Sequence, residues 1–378
     1  MKKRLLTTLA VGISMFSIAD IASALSWSNQ TASTVTAFDI GTLGGNSTEG
    51  WGINNAGQAT GVSWTVGNSY QHAFVTTLDG TMKDLTTLGG SQSYGRGINE
   101  SGQVTGYSFI AGDNFTHAFV TTLDGTMKDL TTLGGSHSYG RGINDAGQVT
   151  GYSFIAGDKY THAFVTTLDG TMKDLGTLPG EGGSIGLGIN DAGQATGGAT
   201  TTAADGALMV SAFVTTPEGT IKDTLGGSYS YGQGINDGGQ VAGYFYTAAH
   251  FPHAFVTTLD GTMTDLGTLG GNSSYGFGIN DAGQVTGHSS AGENQHAFVW
   301  DDGTMYDLNS FVNLGSSGEY LETAYAINDF SQIIANSSLG KTYVLTPSAV
   351  PIPGAVWLLG SGLAGLAGLR RKKKPTIA

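Results

Sequence analysis

Between about residues 33 and 347 the chain is written in short alternating runs, each bounded by Gly, Asn and Asp. No stretch keeps the three-to-four-residue apolar spacing of an amphipathic helix. Residues 94–130 show the pattern. Ala118, Val120 and Thr122 alternate with His117, Phe119, Thr121 and Leu123, the period of a strand with two unlike faces. Asn99-Glu100-Ser101-Gly102 and Asp124-Gly125 interrupt the runs with residues that suit tight turns. The spacing predicts four strands, at 94–98, 103–109, 117–123 and 126–130, with a two-residue type I′ hairpin at Asp124-Gly125.

This unit recurs seven times. The phrase Gly-Ile-Asn-Asp-Ala-Gly-Gln, with small changes, places its Asn at Asn54, Asn99, Asn144, Asn190, Asn236, Asn280 and Asn328, steps of 44 to 48 residues. A second phrase, His-Ala-Phe-Val, begins at His72, His117, His162, His253 and His296, with Ser211 at the equivalent place in the fourth copy. Four strands in about 45 residues is the size of a β-propeller blade, and seven copies suit a seven-bladed ring. The seventh copy stops after its third strand. Residues 36–45 align with 262–271, the fourth strand and exit loop of another copy. The N-terminal strand is therefore expected to complete the last blade and close the ring, whereas an open β-solenoid, the alternative, would need no such completion. Gly95, Gly97, Gly140 and Gly142 are expected to let innermost strands approach closely, with Ile98-, Val120- and Leu130-type positions between blades.

Composition agrees. Gly supplies 62 of 378 residues and charged residues only 12%, unlike a helical enzyme. No Cys is present, so a disulfide framework, a thiolate metal site and a cysteine nucleophile are excluded. Eight of the 16 Lys and Arg lie in the two chain ends, against one of the 29 acidic residues, which leaves the repeat region near −20. That field repels phosphate backbones and excludes nucleic-acid binding.

The ends read differently. Residues 1–24 carry Lys2, Lys3 and Arg4, then an apolar stretch, then small residues at Ala22 and Ala24, the pattern of a secretory signal cleaved after Ala24. Residues 348–378 hold Val350-Pro351-Ile352-Pro353, an apolar run from Ala355 to Leu369, and a basic cluster beginning Arg370-Arg371. The run is expected to form a single membrane helix with its basic end cytoplasmic. This tail resembles the PEP-CTERM sorting signal of Gram-negative bacteria, with Ile352 where the name-giving form has Glu. The resemblance implies passage through the Sec translocon, transient anchoring in the inner membrane and processing by an exosortase. It also implies delivery to the outer envelope or the extracellular matrix. Within the repeat domain, residues 25–347, roughly residues 33–347 resemble the HAF repeat family of bacterial extracellular proteins. The matching residues are His117-Ala118-Phe119, Asp124-Gly125-Thr126-Met127, Asp129-Leu130, Leu133-Gly134-Gly135 and Gly142-Ile143-Asn144-Asp145-Ala146-Gly147-Gln148. That resemblance implies an exported repeat scaffold and names no activity.

Candidate chemistry is sparse. The repeated His is expected to bond within its own blade, His117 to the next strand or to Asp129, rather than to ligate metal. Asp145, Asp191, Asp237, Asp281 and Asp329 suggest calcium, but each turn offers one carboxylate where a calcium loop gathers several oxygens. No cofactor and no metal site are therefore assigned, and calcium stays an alternative. No serine-hydrolase elbow, zinc-protease helix or phosphate loop appears. The fourth copy breaks the pattern around Glu181, Asp205 and Ser211, which leaves a polysaccharide lyase or hydrolase as an alternative. Specificity is expected where the copies differ. In the first strand, one position reads Trp51, Arg96, Arg141, Leu187, Gln233, Phe277 and Tyr325. Trp64 and Tyr246 stand in the variable region around the loop between second and third strands. Aromatic and polar side chains of this kind stack on and hydrogen-bond sugar rings. The expected function is a non-enzymatic binding or structural protein of extracellular polysaccharide, with a calcium-dependent adhesin as a further alternative.

Overall fold

The computed structural model describes residues 26–348, except 179–181, 203–207, 217–218, 224–228, 260 and 316–317. The signal segment with Ala22 and Ala24, the sorting tail with Val350, Pro351, Ile352, Pro353, Arg370 and Arg371, and Glu181 and Asp205 lie outside the described residues. Among the described residues no helix is long and apolar enough to cross a membrane.

Seven four-stranded antiparallel sheets make up the fold. Blade 2 is representative: Gly89–Ile98, Val104–Ile110, Thr116–Thr121 and Met127–Asp129, paired in chain order. The first strand begins earlier than its alternation predicts. It reaches back to Gly89 through a register shift between Gly89 and Ser93, because the Leu-Gly-Gly-Ser phrase folds onto the strand. Blades 1 to 6 begin their first strands at Gly44, Gly89, Gly134, Ser184, Ser230 and Ser274. Blade 7 joins Leu321–Ile327, Ile333–Ser337 and Thr342–Pro347 to the N-terminal strand Val35–Asp39. Val35 pairs with Pro347 and Asp39 with Tyr343. The first strands of successive blades touch all the way round, and that of blade 7 touches that of blade 1, so the ring is closed as the sequence leads one to expect.

The hairpin at Asp124-Gly125 differs from its expected form. Thr122 N–H donates to Thr126 O at 2.9 Å, Gly125 N–H donates to Thr122 O, and Gly125 alone has positive φ, +89°. This is a three-residue loop ending in a left-handed Gly, not a two-residue type I′ turn, which needs positive φ at both central residues. Asn99 to Gln103 has the same bond pattern with Gly102 at +76°.

Blades pack through the Phe of the His-Ala-Phe-Val phrase. Phe74, Phe119, Phe164, Phe213, Phe255 and Phe298 are fully buried. Phe119 sits among Ala73, Val75 and Leu85 of the preceding blade, and Phe164 among Ala118 and Leu130. Ile98 and Val120 border these clusters as expected. At Gly97 a Cβ would stand 3.1 Å from the Arg141 carbonyl oxygen, so neighbouring inner strands approach as closely as Gly permits. A feature the alternation does not announce is the seat of the N-terminus. Trp27 is fully buried 5.4 Å from Phe311, and its backbone N–H and the Ser26 hydroxyl both donate to Asp301.

Candidate binding site at the axial channel

Seven inner strands surround an axial channel, and a ring of seven isoleucines divides it. Ile53, Ile98, Ile143, Ile189, Ile235, Ile279 and Ile327 line the cavities on both sides.

On one side the Asn-Asp turns converge in a cavity of about 310 Å³. Two closed hydrogen-bond cycles run around it. In the inner cycle each Asn Nδ2 donates to the backbone carbonyl of the equivalent Asn in the next blade: Asn54 to Asn99, Asn99 to Asn144, and onward until Asn328 donates to Asn54. In the outer cycle the backbone N–H at the next position donates to a side-chain oxygen of the following blade. Asn55 N–H donates to Glu100, Glu100 to Asp145, and the chain continues to Asp329, whose N–H returns to Asn55 Oδ1. Six carboxylates thus share one rim with Asn55. Burial first, and then the neighbouring carboxylates, push Glu100 and Asp281 up from the ordinary carboxylate range. Among the described residues no three His, Asp or Glu converge as a metal-ligating group. The Asn and Asp of the repeated phrase join blade to blade.

The repeated His also does local work. His117 Nδ1 lies 2.9 Å from Asp129, and His72, His162, His253 and His296 pair likewise with Asp84, Asp174, Asp265 and Asp307. These pairs tie third to fourth strands near the rim. Asp84 shows the balance: burial pushes its carboxyl up, but hydrogen bonds from His72 and the Thr86 N–H hold it below its ordinary value.

Beyond the isoleucine ring the channel widens to a cavity of about 440 Å³, within the range of small-ligand sites. Trp51, Arg96, Arg141, Leu187, Gln233, Phe277 and Tyr325 line it together, so the structure gathers the whole variable series of the first strand into one site. The guanidinium carbon of Arg96 stands over Trp51, 3.6 Å from the ring centroid, and Arg96 donates to the Tyr107 hydroxyl at 3.2 Å. Arg141 donates to the Tyr152 hydroxyl at 3.0 Å. Burial first, then the neighbouring positive charge of Arg141, holds the Arg96 guanidinium below its ordinary value.

Alongside the cavity runs an aromatic belt that alternation along one strand does not reveal, because it forms between blades. Trp51, Tyr94, Tyr107, Tyr139 and Tyr152 succeed one another at centroid distances of 4.8 to 6.3 Å. A second run passes through Tyr231, Tyr244, Tyr275, His288, Phe277 and Tyr325. Gly198 of blade 4 lies between the two runs, packed under Tyr231. Equal spacing of Tyr94 with Tyr139 and of Tyr107 with Tyr152 is the signal that would have found this belt. Tyr246 joins it, 6.5 Å from Tyr244. Trp64 does not line the cavity; it stands next to last in the second strand of blade 1, Ala59–Thr65, paired with Gln71 and packed against Gly45.

No protein-family model and no curated protein matches the sequence. Solved structures match its shape. The β-propeller domain of the Trilobed protease from Pyrococcus furiosus superposes with a TM-score of 0.55 at 10% identity, over 77% of this chain and 91% of that one. TolB from Acinetobacter baumannii matches at 0.46 and 13% identity, over 66% of this chain, and the chain spans 62% of that structure. A gluconolactonase from Xanthomonas campestris matches at 0.42 and 10% identity, over 84% and 91%. At such identities the likeness is one of fold.

Proposed function

We propose that this chain is an exported, non-enzymatic binding propeller of the outer envelope or extracellular matrix, which takes a segment of extracellular polysaccharide at the wide end of its axial channel. The observation that carries this reading is the convergence of seven side chains of six kinds in one cavity of an otherwise repetitive ring. Binding specificity is built where a rigid scaffold varies, and aromatic walls with a few polar groups suit sugar rings. The HAF-like repeats and the PEP-CTERM-like tail support export through the Sec translocon and sorting by an exosortase.

Binding is tested by presenting the purified protein to a broad glycan array. Retention on a defined class of matrix glycan, lost on Trp51→Ala, is expected; an array with no signal above a denatured control overturns the reading. Sorting is tested by fractionation. A chain ending at Pro347 that reaches the same compartment as the full chain removes the role of the tail.

A further inference from the structure

Two arginines in the wide cavity stand out in so acidic a protein. Each guanidinium has five N–H donors. Arg96 and Arg141 each give one hydrogen bond, to a neutral tyrosine hydroxyl. The Nε of each is buried with no acceptor. Among the described residues no carboxylate lies within ion-pair distance of either, although five His–Asp pairs and Lys341 find partners elsewhere. The two positive charges occupy equivalent positions of adjacent blades and repel one another. Glu49 and Glu322 lie close enough to act on Tyr325, as Arg96 does, but neither forms an ion pair with an arginine, and the six carboxylates of the rim sit across the isoleucine ring, in the other cavity. Leaving like charges half-desolvated and unpaired is unfavourable unless something else supplies the counter-charge. Trp51 packs against the Arg96 guanidinium and holds it in place, so that its remaining N–H donors are ready for an oxyanion.

We infer that Arg96 and Arg141 together receive an oxyanion, a carboxylate or a sulfate, carried on a saccharide whose ring rests on the aromatic wall of the cavity. The inference rests on the proposed function and narrows it to acidic glycans. Trp51 packs against Arg96, and together with Tyr325 of the adjoining blade it supplies the apolar surface, while Gln233 across the cavity serves the sugar hydroxyls.

The test is calorimetric titration of the purified protein with tetragalacturonate, a sulfated tetrasaccharide, neutral maltotetraose and sodium sulfate. Each is run on the unaltered protein, on Arg96→Gln, on Arg141→Gln and on the double variant, with melting temperatures measured in parallel. An acidic tetrasaccharide should bind roughly tenfold or more above the neutral one, and each single variant should lose roughly tenfold to a hundredfold. Whether uronate or sulfate ester is preferred identifies the oxyanion. Arg96→Lys, which keeps the charge but not the fork, should lose affinity at an unchanged melting temperature. Equal binding of acidic and neutral sugars, unaltered in the double variant, overturns the anion site and leaves the polysaccharide reading standing. Arginine-dependent binding of sodium sulfate as tight as that of either acidic sugar keeps the anion site and overturns the polysaccharide reading. No binding of any probe overturns both.

Discussion

The two ends of the axial channel are made by the same seven strands, yet they are opposite in kind. At the narrow end the copies repeat, and every Asn and Asp closes a cycle with the next blade. At the wide end the copies diverge, and polar atoms are left over: Arg96 Nε, Arg141 Nε and His288 Nδ1 are all buried without partners. In a symmetric ring, what recurs holds the blades together and what differs is free to meet a ligand. The signature phrase of the repeat is therefore the wrong place to look for chemistry.

The largest effect should come from breaking the ring that both ends share. Deleting residues 32–41 removes the outer strand of blade 7 and its pairing from Val35–Pro347 to Asp39–Tyr343. The single cooperative melting transition should broaden or disappear. A truncated protein that melts like the intact one would show that the strand is dispensable.

Next is the narrow end itself. Asn144 is buried and makes three side-chain bonds, to Gln148 Oε1, to the Asn190 carbonyl and from the Gln148 N–H. Asn144→Ala should cost about 2–4 kcal/mol in chemical denaturation, because carbonyl and amide are left unpaired. By contrast Asp145→Asn should stay within about 0.5 kcal/mol of the parent. An amide oxygen accepts the Glu100 N–H as well as a carboxylate does, and blade 1 already uses Asn55 in that slot. If Asp145→Asn destabilises as much as Asn144→Ala, the carboxylate has a task beyond joining blades.

The smallest effect sharpens the contrast at the wide end. Burial holds the His288 imidazole at about 4, below its ordinary 6.5. Between those values the unfolded chain takes up a proton that the folded one refuses. Stability is therefore full above about 6.5 and declines as pH falls toward about 4. His288→Tyr installs the residue found at Tyr107, Tyr152 and Tyr244. Its gain in melting temperature over the parent should be larger at pH 5 than at pH 8 by roughly 2 °C. Equal gains at both values would mean that the ring is not buried neutral.

Most of the architecture was readable before any coordinates, because Asn-Asp-x-Gly turns at a 45-residue period leave few other ways to bury a strand's apolar face. Ring closure was readable from one alignment, residues 36–45 with 262–271. The candidate cavity was half readable. Position 51 and its equivalents vary visibly, but that all seven meet on one axis is a property of the ring and of no single blade. The hydrogen-bond cycles and the seat of Trp27 on Asp301 join residues 44 to 274 positions apart, and the aromatic belt passes from blade to blade. Local alternation carries no information about such distances. Trp64 misled for the same reason: it lies in a variable region but not on the axis.

The paired cycles also govern how such a molecule can grow. Residues 72–85, 117–130 and 162–175 are the same phrase, so copies of a blade arise readily in this chain. Each new copy brings one Asn and one acceptor for the next, and it must fit a circle whose last member donates to its first. Lengthening by one unit is therefore not a small step. It demands a new curvature from every junction at once, whereas changing the side chain at position 96 or 141 leaves both hydrogen-bond cycles intact. Copy number is held fast by geometry, while the lining of the wide cavity is left open to drift and selection.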